Sequence, residues 1–68
     1  MSKEFKFFMY LIQNYAYERS VTPIEVFNEL REKKLYDFVL NSYEVYHIED
    51  LNNAFAEIDN LLRIGKIA

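Results

Sequence analysis

Apolar residues recur at intervals of three and four in successive stretches of the chain, the spacing of helices that bury one face. In the first stretch Phe5, Phe8, Met9, Ile12, Tyr15 and Ala16 share a face of a helix spanning about residues 3–19. Ser2 precedes it as N-cap, and Glu4 stands in the first turn, where the helix dipole favours a carboxylate. The other faces are not properly polar. Phe7 and Leu11 make an adjacent ridge, while Tyr10 and Tyr17, one heptad apart, stack on roughly the opposite side. A helix apolar nearly all round is expected to be covered on more than one side.

The segment VTPIEV opens a second helix over about residues 23–33. Thr22 is its N-cap, Pro23 fills the first helical position, Glu25 completes a capping box, and Val21 with Val26 suits a hydrophobic staple. Val26, Phe27 and Leu30 form the apolar side before the charged run REKK. A third helix is predicted over about 35–47, burying Leu35, Phe38 and Val39; Asn41-Ser42 weakens it without forcing a break. The fourth, about 51–64, has the clearest stripe in Leu51, Ala54, Phe55, Ile58, Leu61 and Leu62, with Gly65 placed to end it at C′. The expected architecture is all-α, a compact bundle of four short helices forming one domain over residues 1–68.

Composition sharpens this picture. One glycine and one proline are too few for a sheet-rich fold, which needs turn residues at short intervals. The absence of cysteine excludes disulfides, thiolate zinc sites and a cysteine nucleophile. A domain of 68 residues without such staples needs rich apolar packing or a partner subunit, and with 51% hydrophobic residues the composition favours both. There is no long apolar run and no signal-type cleavage site near the N-terminus, so the expectation is a soluble, cytoplasmic protein. Residues 1–34 carry six Lys/Arg against five Asp/Glu, whereas residues 35–68 carry two against six. The second half therefore lacks the basic footprint that binding nucleic acid requires.

Candidate chemistry is sparse. Glu44 and His47, the only histidine, form a Glu-x-x-His that would place a carboxylate and an imidazole on one helix face, as in di-iron bundles. Such a centre needs two copies, so a metal-binding helical dimer is an alternative, with Glu18, Glu57 or Asp59 as remaining ligands. The bland alternative makes His47 a helix-end residue bonded to the backbone or to a carboxylate. The carboxylates Asp37, Glu44, Glu49, Asp50, Glu57 and Asp59 have the spacing of a solvated face. No phosphate loop or nucleophilic dyad is legible, so no catalytic residue, metal or cofactor is assigned. TPIEVFNEL followed by KKLYDFVLNSYE has the lengths of a helix-turn-helix, a DNA-binding alternative that Asp37 and Glu44 on the would-be recognition helix oppose. Membrane-surface binding fails for want of a basic polar face on the first helix.

The order of EFKFFMYLIQNYA, TPIEVFNEL, LYDFVLNSYEVYH and AEIDNLL resembles a family of short bacterial helical proteins known as domain of unknown function 3791, over about residues 4–62. Tyr43, Tyr46 and His47 match its Tyr-x-x-Leu-His, with Tyr for Leu, and Glu57-Ile58-Asp59 matches its Asp-Ile-Asp core. Members usually have glycine after that histidine, where this chain has Ile48. Members are often encoded beside a gene for an ADP-ribosyltransferase-like toxin, which implies a partner or antitoxin role and assigns no catalytic residue.

Phe7, Tyr10, Leu11 and Tyr17 of the first helix, with Tyr36 and Tyr43 of the third, are more large side chains than one small core can take. Tyrosines suit interfaces because each combines a large apolar body with a hydroxyl. These six are expected to bind a partner. The expected function is a non-catalytic interaction module that forms a homodimer through its first helix and binds a second bacterial protein encoded nearby.

Overall fold

The computed structural model describes residues 2–64, and every regular element among them is helical: α1 Lys3–Glu18, α2 Pro23–Glu32, α3 Tyr36–Leu40, α4 Tyr43–Tyr46 and α5 Leu51–Ile64. Three of the four expected helices are present within a residue of their expected limits. The expected third helix is instead two. The Ser42 hydroxyl donates to the Phe38 carbonyl oxygen at 2.7 Å, and Asn41 and Ser42 leave the regular helix at ψ −2° and 15°. Side-chain bonding of this kind competes with the backbone ladder, and two weak helix formers in succession give it the advantage. Gly65, the expected stop of the last helix, lies outside the described residues.

The N-terminal caps of α1 and α2 are those the sequence announces. Ser2 Oγ accepts from the Phe5 amide at 3.1 Å. Thr22 and Glu25 form the full capping box, the Thr22 amide donating to Glu25 Oε2 at 2.7 Å and the Glu25 amide to Thr22 Oγ1 at 3.3 Å. Asp50, read from sequence as one of several solvated acids, caps α5 by accepting from the Asn52 amide at 2.8 Å.

The C-terminal junctions were not announced. After α1 the Val21 amide reaches the Ala16 carbonyl at 3.0 Å and the Ser20 amide reaches Tyr17 at 3.2 Å. After α2 Leu35 reaches Leu30 at 2.7 Å and Lys34 reaches Arg31 at 3.1 Å. Both are Schellman motifs, and their left-handed residues are Ser20 at φ 58° and Lys34 at φ 60°, where glycine is usual. Apolar side chains follow each one: Leu35 is buried, and Val21 is 41% exposed. The loop before α5 needs no glycine in place of Ile48, because no residue there takes a positive φ.

The core draws on every helix. Phe8, Leu11, Ile12, Tyr15 and Ala16 of α1 meet Val26 and Leu30 of α2, Val39 of α3, Tyr46 of α4 and Ala54, Phe55, Ile58 and Leu61 of α5, with Leu35 from the junction. Phe8 is ringed by Tyr36, Phe27 and Phe5 at centroid distances of 5.0, 5.8 and 6.2 Å. Two expected core residues lie elsewhere, Met9 and Phe38 being 36% and 38% exposed. Met9 sits at the edge of the buried arc, next to the exposed Gln13, and the arc is instead completed by Leu11.

The left-handed junctions make a stability forecast. Glycine adopts φ near +60° without the Cβ clash, against a larger loss of freedom on folding. Lys34→Gly is expected to raise the urea-unfolding free energy by about 0.5 kcal/mol, whereas β-branched Lys34→Val is expected to lower it by about 1 kcal/mol.

Candidate functional site

The six residues expected to bind a partner separate into three groups. Leu11 is 0% exposed, so it belongs to the core and has no surface to offer. Phe7, Tyr36 and Tyr43 are half-buried. Tyr36 packs against Phe8 and, at 5.1 Å, against Phe27. Phe7 meets Tyr43 edge to face at 5.6 Å, which joins α1 to α4. Tyr10 and Tyr17 remain open, 51% and 84% exposed.

Around those two tyrosines the surface contains apolar residues that sequence reasoning did not assign to an interface. Met9 lies beside Tyr10 on the outer arc of α1, and Ile24 in the first turn of α2 is 61% exposed. Between the two helices Met9, Ile12, Gln13, Pro23, Ile24 and Phe27 line a shallow depression of about 300 Å³. The clue in the sequence was phase: Lys6, Met9, Tyr10, Gln13 and Tyr17 fall on one arc at 100° per residue, and its polar members mark it as outward.

Across the molecule α1 and α5 are joined by a polar cluster. The Tyr15 hydroxyl donates to Asp59 Oδ1 at 2.5 Å. Arg19 adds a two-pronged contact, Nε to Oδ1 at 3.0 Å and Nη2 to Oδ2 at 2.8 Å. The guanidinium also lies over the Tyr15 and Phe55 rings at 5.1 and 5.7 Å. Hydrogen bonds from Arg19, supported by that from Tyr15, hold the Asp59 carboxyl below the usual carboxylate range. Burial, and then the bond to Asp59, pushes the Tyr15 phenol well above its ordinary range. Both carboxylate oxygens of Asp59 and the Tyr15 hydroxyl are paired, which makes the cluster a clasp between helices.

The opposite situation holds at Tyr46. Its side chain is 2% exposed, and its hydroxyl has no hydrogen-bond partner among the described residues. The hydroxyl lies near Glu57 and Ser42 without bonding to either, and burial, followed by Glu57, pushes the phenol well above its ordinary range. Tyr46, Glu57 and Ser42 line an open groove of about 430 Å³ between α3–α4 and α5, whose other walls are Phe38, Val45, Asn60 and Leu61. Phe38 and Val45 are the partly exposed apolar residues of that rim.

His47 caps the C-terminus of α4. Its Nδ1 lies 2.6 Å from the Tyr43 carbonyl oxygen and its ring stacks on Tyr43 at 4.2 Å, nearly parallel. It is thus placed as a helix-end residue bonded to the backbone. Among the described residues no group of three His, Asp or Glu side chains is arranged to hold a metal ion. The segment weighed as a recognition helix is the pair α3 and α4, of five and four residues. None of the described helices is long and apolar enough to cross a membrane.

Two measurements test these contacts. Tyr46→Phe removes a buried hydroxyl that bonds to nothing, and is expected to raise the urea-unfolding free energy by about 1 kcal/mol. The folded pKa of Asp59 lies below the unfolded one, so its stabilisation is complete above the unfolded value of about 3.9 and is lost as pH falls through the folded value. Asp59→Asn is therefore expected to flatten the acid limb of the stability profile below about pH 4. Both partners are more than one-third exposed, so the contribution is at most about 1 kcal/mol.

Comparison with known proteins agrees with the resemblance carried by the aromatic and Tyr-His segments. No curated protein and no solved structure matches the chain. Residues 6–63, from the first turns of α1 to the last turn of α5, match the family described as "Protein of unknown function (DUF3791)". The chain belongs to that family.

Proposed function

We propose that this chain is a non-catalytic protein-interaction module that pairs with a second copy of itself through the outer face of α1. The observation that carries this is the open surface formed by Met9, Tyr10 and Tyr17 of α1 with Ile24 of α2. Large, stiff, amphipathic side chains of this kind supply contact area at little entropic cost. With 16 residues at about 1.5 Å each, α1 runs the full width of a molecule measuring 26 × 24 × 22 Å. A standard interface of roughly 800 Å² per partner would cover about a sixth of the 4620 Å² surface. Lys3 and Lys6 are its basic members, at one end of the arc, so two copies crossing antiparallel would keep these charges apart.

The second partner is a different protein of the same cytoplasm. The family's association with an ADP-ribosyltransferase-like toxin makes that toxin the leading candidate, with this chain as antitoxin or accessory. The large exposed aromatic and aliphatic side chains on α1 and α2 support a binding role over a chemical one. A DNA-binding role receives no support from the acidic second half or from α3 and α4, each barely more than one helical turn.

Sedimentation at about 10 μM is expected to show a dimer. The variant Tyr10→Lys/Tyr17→Lys, altered only at exposed positions, is expected to keep its helical spectrum and to associate at least about tenfold more weakly. A monomeric wild-type chain would overturn the pairing, and a double variant that associates as before would move it to another face.

A further inference from the structure

The groove between α3–α4 and α5 has more acceptors than donors. The Glu57 carboxylate only accepts, and Ser42 has already given its proton to the Phe38 carbonyl oxygen at 2.7 Å, leaving its lone pairs. The Tyr46 hydroxyl keeps its oxygen lone pairs without a partner. Asn60 is the exception, since its side-chain oxygen accepts from Arg63 Nη2 at 2.9 Å. Glu49 adds to the negative field near Tyr46, and its Oε1 is also buried without a partner among the described residues. Between Lys34 and Arg63 the sequence has no basic residue to neutralise this set. Buried hydroxyl and carboxylate oxygens left unbonded are uncommon in folded domains, because each sacrifices its hydration for nothing in return.

We propose that this groove receives the side chain of an arginine carried by a protein partner, its guanidinium donating to Glu57 and to the Ser42 hydroxyl oxygen and, as the exposed Glu57 side chain turns aside, to the Tyr46 oxygen that it covers in the unbound chain. The proposal rests on the interaction role stated above and names the chemistry of the second partner. The methylene stem fits the apolar walls, Val45 and Leu61, and the planar head suits the face of Phe38. A guanidinium brings five donors in a fixed fork, which matches several convergent acceptors better than the compact ammonium of lysine. An aliphatic side chain would seal the acceptors away from water unpaired, and an anionic one would meet Glu57 head on. The acidic second half of the chain supplies the long-range attraction for a basic partner surface.

The test uses the full chain, isotopically labelled, with N-acetyl-arginine methylamide as the probe and the citrulline and norleucine analogues as neutral controls. Expected are saturable amide shifts clustered at Ser42, Tyr46, Glu57 and Asn60, with the arginine probe binding at least about fivefold more tightly than either control. Tyr46→Phe is expected to stay folded, with a higher melting temperature, and to bind about three- to tenfold more weakly. Glu57→Gln, on the exposed side of α5, is expected to remove the preference for arginine over citrulline. Shifts that never saturate or spread over all the acids, equal binding of norleucine, or undiminished binding by Tyr46→Phe would overturn the proposal. These variants lie away from the outer face of α1. An unaltered chain that dimerises but shows no preference for the arginine probe therefore sinks this inference alone, and an unaltered chain that binds the probe as a monomer sinks only the pairing.

Discussion

One helical face holds the domain together. Phe8, Leu11, Ile12, Tyr15 and Ala16 occupy about 140° of the circumference of α1, and the remaining helices are arranged around that arc. Phe8 meets α2 and α3 through Phe27 and Tyr36, Phe7 at the border meets α4 through Tyr43, and Tyr15 meets α5 through Phe55. With 68 residues and no cysteine, the chain has no disulfide to staple it, so the quality of packing against α1 weighs heavily in whether the other helices form. The two short helices depend on it most, since five and four residues cannot be helical in isolation.

The same dependence explains what the sequence reveals and what it conceals. Much of the local chemistry was legible: the Ser2 cap, the Thr22–Glu25 box and the apolar stripe of α5 all act over three or four residues and appear as expected. The family, too, was legible from short aromatic segments. What escaped was decided by phase or by distant neighbours. Leu11 and Met9 are equally apolar, and only the exact rotation of α1 puts one in the core and the other at the surface. The break at Asn41-Ser42 required one hydroxyl to win a competition that propensity scales leave nearly even. The partnerless Tyr46 hydroxyl depends on α4 and α5 being brought together, and nothing local to YEVYH encodes it.

The charge asymmetry of the chain acquires a structural meaning. Arg19 crosses from the slightly basic first half to Asp59 in the acidic second half, and the contact fastens the end of α1 to α5. Among the described residues most of the remaining acids have no such partner, and Asp50 is taken up by a helix cap. The result is a molecule with an aromatic outer face on α1 and an acidic groove on another side. The two surfaces differ in chemistry and lie on separate helices, so a ligand of one need not cover the other.

The left-handed junctions at Ser20 and Lys34 bear on how such a chain drifts over time. Each reversal is fixed by a count of residues, the backbone bonds spanning five positions from Ala16 to Val21 and from Leu30 to Leu35, and by an apolar side chain that follows it. The residue at the bend itself is not dictated, since serine serves at one and lysine at the other. Such corners forgive most spellings, β-branched residues apart, and punish length: a single insertion or deletion would rotate the next helix out of register with α1. Relatives should therefore differ widely in the letters at these corners and hardly at all in their spacing.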